Sequence, residues 1–312
     1  MDKVWVRVLV LVILVCVVVV AGFLPMVVNS AYQKKVNADF WDTDGDGVLE
    51  LLAIGNSFSV DALQYFYQIA RDLGVKEIVV GNLYVGGCSL KTHLENAHGD
   101  KGAYTYFYND NGTWKTTANY KISTALKSRT WDCISLQQQS TYSGIDEVYD
   151  RDLQPMIDYV KGMVNDEGNA NRTPNAKLLW HMTWAYAQSS TQGGFANYDN
   201  DQMTMYNAIV GAVERKVASN DNIIDIIPNA TAVQNSRTSK LGDTATRDGN
   251  HLSLDYGRYL AGLMFVKVVT GISIDNVTYK PDGVDEDQRL IAIESVNNAY
   301  AKPFDVTTSQ YV

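Results

Sequence analysis

Short, wholly apolar runs alternate with amphipathic helical patterns along most of this chain, and that alternation constrains the fold more than any other feature. Leu51-Leu52-Ala53-Ile54 stops at Gly55 and reads as a strand buried on both faces. Leu63, Phe66, Tyr67 and Ala70 follow at i, i+3, i+4 and i+7, the spacing of one helical face. Glu77 to Val80 reads as a second strand and Trp131 to Leu136 as a third. Lys177 to Trp180 begins a fourth, and Asn222 to Ile227 makes a fifth. Leu153, Met156, Ile157 and Val160 mark one intervening helix, and the stretch 199–218 holds another. Strands joined through helices become parallel neighbours, so the pattern predicts an α/β protein. The expected form is a three-layer α/β/α sandwich around a five-stranded parallel sheet. One segment breaks the alternation. Tyr104 to Tyr108 and Thr113 to Thr117 are β-prone and flank Asn109-Asp110-Asn111-Gly112, a hairpin signal. It reads as a β-hairpin insertion at about residues 103–121. After residue 270 the pattern gives an acidic turn and a helix near 285–300, so one globular domain is expected over 51–312.

The N-terminus differs from the rest. Lys3 and Arg7 precede an almost unbroken apolar run over residues 8–28. Residues 1–30 therefore read as a signal peptide, cleaved after Ser30, or as a membrane anchor, followed by a polar lead-in at 31–50. Either reading places the remainder outside the cytoplasm, secreted or anchored. Ile13-Leu14-Val15 before Cys16 is a poor lipidation signal. The formal net charge is -9, and no run of Lys and Arg forms a basic stripe. That argues against a nucleic-acid partner, because phosphate binding needs clustered cations. Cys88 and Cys133 are open to two readings, a disulfide permitted by export or two buried thiols. No Cys/His cluster has zinc spacing. Asp42-Thr43-Asp44-Gly45-Asp46-Gly47 begins like a calcium-binding loop, but its twelfth position is Ala53, not the required Glu. It reads as an acidic turn, and no metal or organic cofactor is expected.

Gly55-Asn56-Ser57-Phe58-Ser59 directly follows the first strand and precedes the first helix. Ligands of open α/β sheets bind beyond the carboxyl ends of the strands. A serine there can expose its hydroxyl beside a helix N-terminus, or it can merely cap the helix. The fragment is not the Gly-x-Ser-x-Gly elbow, since position 59 is Ser. Asp248-Gly249-Asn250-His251 precedes another helix, which Ser253 can cap and whose buried face carries Leu260, Leu263, Met264 and Val268. An Asp and a His three apart on one loop can face a common cleft, the carboxylate orienting the imidazole.

Together these two fragments resemble the SGNH hydrolase superfamily, the GDSL-like esterases and lipases. Gly55-Asn56-Ser57-Phe58-Ser59 looks like that family's first block, and Asp248-Gly249-Asn250-His251 like its last. The likeness is nearest to a bacterial subgroup whose first block reads Gly-Asn-Ser-Phe. It covers residues 50–270 or so and implies a flavodoxin-like sheet with Ser57 as nucleophile, His251 as base and Asp248 as its orienting acid. The family's second block supplies a glycine N–H to an oxyanion, and Gly86-Gly87-Cys88-Ser89 matches it with Gly87. Only glycine lets a backbone approach a tetrahedral intermediate so closely. The third block departs from the usual Gly-x-Asn-Asp. Here the chain reads Leu136-Gln137-Gln138-Gln139-Ser140, closer to sialate O-acetylesterase-like members. A Gln amide can donate as Asn does. Gln139 aligns with the Asn, and Gln137 is the alternative, so the expected oxyanion hole is Ser57, Gly87 and one of these two.

The resemblance implies an esterase of short acyl groups, acetyl foremost, acting on a small-molecule or glycan ester. Asn56, His93, His181 and Trp184 follow strand ends and are candidate substrate contacts. Two rival readings use the same fold: a cell-surface carbohydrate-binding protein with little turnover, and a lipase or thioesterase for longer acyl chains.

Overall fold

A computed structural model of the chain describes residues 42–312. The signal or anchor reading of residues 1–30, with its apolar run at 8–28, lies outside the described residues, as does the first part of the lead-in. Among the described residues no helix is long and apolar enough to cross a membrane.

Strand β1 (Val48–Gly55) starts within the expected lead-in, because Leu49 and Glu50 are already buried. Its unbroken apolar run is explained by its place. It pairs in parallel with β2 (Glu77–Tyr84) on one side and with β5 (Cys133–Leu136) on the other, and helices cover both faces. Beyond β5 lie β6 (Lys177–His181) and β7 (Ile223–Ile227), also parallel. These five strands run in the order β2-β1-β5-β6-β7.

The expected five-stranded sheet is corrected in one respect. The Asn-Gly hairpin is not an appendage. Its strands β3 (Tyr104–Asp110) and β4 (Thr113–Tyr120) extend the same sheet to seven, with β3 antiparallel to β2. Gly81 of β2 makes room for this: a Cβ there would meet the Tyr106 hydroxyl at 2.6 Å. Asn111 and Gly112 both have positive φ, as a tight hairpin turn requires.

The helices fall into two layers, as right-handed crossovers from a reversing strand order demand. One layer holds α3 (Leu90–His98), α4 (Ile122–Leu126), α5 (Asp146–Asn165) and α6 (Gln202–Lys216). The other holds α1 (Ser57–Leu63), α2 (Phe66–Asp72), α7 (Asn229–Arg237), α8 (Tyr256–Thr270) and α9 (Glu286–Ala301). The single helix expected from Leu63 to Ala70 is two, broken at Gln64–Tyr65. Helix α8 buries far more than its predicted face, with nearly every side chain from Tyr256 to Thr270 enclosed by α1, α2, α7, α9 and β7.

The register sets the working end of the sheet. Ile54 lies beside both Leu83 and Leu136, and Gly55 beside Tyr84. The carboxyl ends of β1, β2 and β5 are therefore level, and the segments leaving them emerge side by side. Cys88 and Cys133 are both buried and not joined in a disulfide, so the disulfide reading is set aside. Burial pushes each thiol up to about 12.

Candidate active site

Asn56 caps α1. Its extended backbone turns the chain out of β1, and its Oδ1 accepts from the Phe58 N–H at 3.0 Å. Ser57 is then the first helical residue, and its own N–H has no backbone partner among the described residues. The capping that could have explained a serine here is done by its neighbour.

His251 meets Ser57 from the other end of the chain. Its Nε2 is 2.9 Å from Ser57 Oγ, and its Nδ1 is 2.7 Å from Asp248 Oδ2. The second Asp248 oxygen accepts from the N–H groups of His251 at 2.7 Å and Asn250 at 3.1 Å. Partial burial works to raise the Asp248 pKa, but these hydrogen bonds and the His251 charge outweigh it and hold the carboxyl below its usual range. An ionised Asp248 fixes the tautomer with the proton on Nδ1, leaving the Nε2 lone pair facing the serine hydroxyl.

The loop carrying this pair is closed by backbone bonds. Ser253 N–H donates to Ala245 C=O and Arg247 N–H to His251 C=O, with Thr246 and Leu252 bridged between them. Gly249 at the tip has a φ of +87°, and a Cβ there would meet Ser190. Trp184 Nε1 donates to the Asn250 carbonyl at 2.7 Å while its ring stacks on Phe58 at 4.2 Å. Trp184 thus ties the loop to α1. The expected cap of α8 is Ser253, but the N-cap position is Asp255; Ser253 Oγ reaches the first turn from two residues earlier, accepting from the Gly257 N–H at 2.8 Å.

Beneath Asn56 runs a buried polar chain whose direction follows from one backbone group. Because Asn56 Oδ1 accepts from Phe58 N–H, its Nδ2 is the group that donates to the Cys88 carbonyl, at 3.1 Å. Gln137 Nε2 donates to the same Oδ1 at 2.9 Å, which turns Gln137 Oε1 toward His181 Nδ1 at 3.2 Å. The remaining His181 nitrogen, Nε2, accepts from Asn229 Nδ2 at 3.1 Å. Burial lowers the His181 pKa to about 3, so the ring is neutral, as the chain requires. Gln137, expected as a possible oxyanion donor, is committed to this support instead. Asn56 and His181, expected as substrate contacts, belong to it as well.

His93 is further off. It is fully buried, bonded through Nδ1 to the Tyr104 hydroxyl at 2.9 Å, and burial lowers its pKa to about 3. It packs the hairpin against α3.

On the Gly87 side the surface opens. Gly87 has a φ of +62° and empty space where a Cβ would stand, and its N–H has no backbone partner among the described residues. Gly87, Ser89, Thr92, Gln138, Gln139 and Tyr142 line a cavity of about 490 Å³. Gln139 Nε2 donates to Thr141 Oγ1 at 3.1 Å. Gln138, which sequence reasoning passed over, turns its Oε1 to the N–H groups of Leu90 and Gln139. Its Nε2 is left buried without a partner among the described residues. Three consecutive glutamines carry no sign of which side chain faces which way.

The carboxylates of Asp42, Asp44 and Asp46 lie within 4.8 Å of one another in the turn before β1. Each also accepts from a backbone N–H of that turn: Gly47, Asp46 and Val48 respectively.

Fold and site together define an α/β protein with a Ser–His–Asp hydrogen-bonded series where its parallel strands end. A family model described as "Domain of unknown function (DUF4886)" matches residues 50–299, and the chain belongs to that family. It is similar to a DUF4886 family protein from Bacteroides uniformis ATCC 8492, known from a crystal structure at 1.50 Å resolution. The two share 38% identity and a TM-score of 0.78, over 84% of this chain and 98% of that one. No curated protein matches the chain.

Proposed function

We propose that this protein is a serine esterase of the SGNH-hydrolase type. The observation that carries the reading is the unbroken series Ser57 Oγ, His251 Nε2, His251 Nδ1, Asp248 Oδ2, with steps of 2.9 and 2.7 Å. His251 Nε2 takes the Ser57 hydroxyl proton as Oγ bonds to the ester carbonyl carbon. The oxyanion is met by the N–H groups of Ser57 and Gly87, with a side-chain amide from Gln138 or Gln139. Protonated His251, stabilised by Asp248, then gives its proton to the leaving alcohol oxygen as the C–O bond breaks. Water, deprotonated by His251, cleaves the acyl-serine and releases the carboxylic acid.

The hydrogen-bonding lining of the cavity beside Gly87 supports a short acyl group on a hydroxyl-bearing alcohol, with acetylated carbohydrate the favoured class. A hydrocarbon chain there would leave Gln138 Nε2 and Gln139 Oε1 unpaired. The longer-chain reading draws on a different feature, an apolar cavity of about 210 Å³ beside α1 lined by Val60, Leu63, Phe107 and Trp114. The residue 8–28 segment supports a location outside the cytoplasm.

A serine-directed fluorophosphonate tests the reading, with Ser57 as the expected labelled residue. Nitrophenyl acetate is expected to turn over faster than the octanoate, and Ser57→Ala to abolish both reactions. Labelling elsewhere, or full activity in Ser57→Ala, rejects the serine mechanism. Faster octanoate turnover selects the lipase reading.

A further inference from the structure

The nucleophile helix and the His251 loop come from residues almost two hundred positions apart, yet one buried carboxylate joins them. Asp61 lies one helical turn after Ser57 on α1 and is 1% exposed. Its Oδ2 accepts from the Leu252 backbone N–H at 2.9 Å, the residue directly after His251. Both its oxygens accept from Arg247 Nη1 at 3.1 Å, the residue directly before Asp248. Arg247 also donates to the Leu252 carbonyl, and Arg258 of α8 completes the cluster, its Nε donating to Asp61 Oδ1 at 2.8 Å.

We propose that Asp61 is a positioning residue that sets the Ser57–His251 distance by gripping both ends of the 247–252 loop from the nucleophile's own helix. This rests on the esterase reading for its catalytic consequence, but the grip itself does not. The geometry makes the case. Asp61 and Ser57 are at i and i+4 on one helix, so their separation is rigid. Leu252 and Arg247 flank the catalytic pair, so theirs is set by the closed loop. The carboxylate is the joint between two rigid pieces. Its hydrogen bonds go to Arg247, Leu252 and Arg258 and not to Ser57 or His251 themselves, and a packing role alone would need no link to both ends of the loop. A buried acid in a helix otherwise short of charge, Ser57-Phe58-Ser59-Val60-Asp61-Ala62-Leu63, has its explanation here.

The test compares Asp61→Asn with Arg258→Gln, which loosens the cluster but leaves the Leu252 and Arg247 bonds in place. Asp61→Asn keeps the side-chain shape while removing the charge and one acceptor. In that variant the expected result is a kcat lower by about 100-fold, the scale of a misplacement near 1 Å, with KM changed less than about threefold. Arg258→Gln is expected to keep kcat within about threefold. Amide hydrogen exchange supplies the arm that is independent of turnover. Residues 246–253 should exchange at least about tenfold faster in Asp61→Asn while β1 and α8 stay protected. A low-field proton resonance from His251 Nδ1 should be present in the wild-type protein and lost in Asp61→Asn. Unchanged exchange over 246–253 overturns the proposal, as does an equal loss of kcat in both variants. If Asp61→Asn does not fold, Arg247→Gln, which removes one of the two grips, is expected to give the same pattern more weakly, and unchanged exchange there overturns the proposal. If wild-type protein hydrolyses no ester and Ser57 stays unlabelled, the esterase reading fails, while the exchange and resonance measurements still decide the clamp.

Discussion

Ser57 and His251 are held by two supports of opposite chemical character. Behind the Asn56–Ser57 turn stands a neutral chain, Asn229 to His181 to Gln137 to Asn56, in which every link is a hydrogen bond between uncharged groups. Behind the His251 loop stands an ionic cluster, one carboxylate with two guanidinium groups. The neutral chain is directional: reversing any amide would set donor against donor or acceptor against acceptor. It fixes orientation, and it tolerates no charge. The ionic cluster is not directional in that sense, but it concentrates its grip on one residue. On the proposed mechanism the turn needs orientation, because a backbone N–H would have to point at the oxyanion. The loop would need a fixed distance, because a proton would cross from Ser57 to His251.

The comparison fails at once if neither support serves chemistry, and the largest effect tests that. His251→Ala is expected to lower kcat/KM by about 10⁴-fold or more. Its side chain is 26% exposed and bonds outward to Ser57 and Asp248, so the melting temperature should barely move. A loss below tenfold would detach both supports from catalysis.

Stability separates the supports next. Asp61→Leu strands two guanidinium groups and the Leu252 N–H, and should cost about 3 kcal/mol, the low end for breaking a buried ion pair. The low end applies because Arg247 keeps a third of its side chain in water. Gln137→Leu orphans the His181 Nδ1–H and should cost about 1–3 kcal/mol. Urea titrations of both variants give the ranking. A larger cost for Gln137→Leu would reverse the assignment of strong and weak supports. A smaller functional mark is expected as well: Gln137→Leu should lower kcat about tenfold through a looser Asn56, with normal fluorophosphonate labelling of Ser57 after long incubation.

The two supports also differ in how much of them can be read from sequence. The residues proposed to carry the chemistry sit in short local patterns, Gly-Asn-Ser after an apolar strand and Asp-x-x-His on one loop, whose geometry is set within a few residues. Their supports are made of long-range pairs. Asp61 meets Arg247 across 186 positions and Leu252 across 191, and nothing near Asp61 announces either. His181 and Asn56 were legible as residues beside strand ends, yet which way they face depends on the Phe58 N–H and on the pleat after β5. The hairpin shows the same limit. Its turn was plain from Asn-Gly, whereas its docking on β2 depends on the space above Gly81, which only the tertiary pairing reveals. The helix from Leu63 to Ala70 kept its face but not its continuity, because helical spacing is preserved across a short break.

Acid gives the finest distinction between the supports. Folded His181 has a pKa of about 3, while a free imidazole titrates near 6.5. Between those values the unfolded chain holds a proton that the folded chain excludes, so stability falls as pH drops through that window. The slope is about 1.4 kcal/mol per pH unit for each such histidine. His93, also held at about 3 by burial, contributes a second proton of the same sign. His181→Asn keeps a neutral side chain with a donating and an accepting group, but it removes the titration. The slope of unfolding free energy between pH 6 and 4 should therefore drop by about one proton, leaving the His93 share. Arg258→Gln, which touches only the ionic support, should leave that slope as it is in the wild type. Equal slopes for wild type and His181→Asn would mean that His181 already carries a proton in the folded state. The neutral chain would then have to be redrawn with Nε2–H facing Asn229 Oδ1, the one oxygen there now without a partner among the described residues.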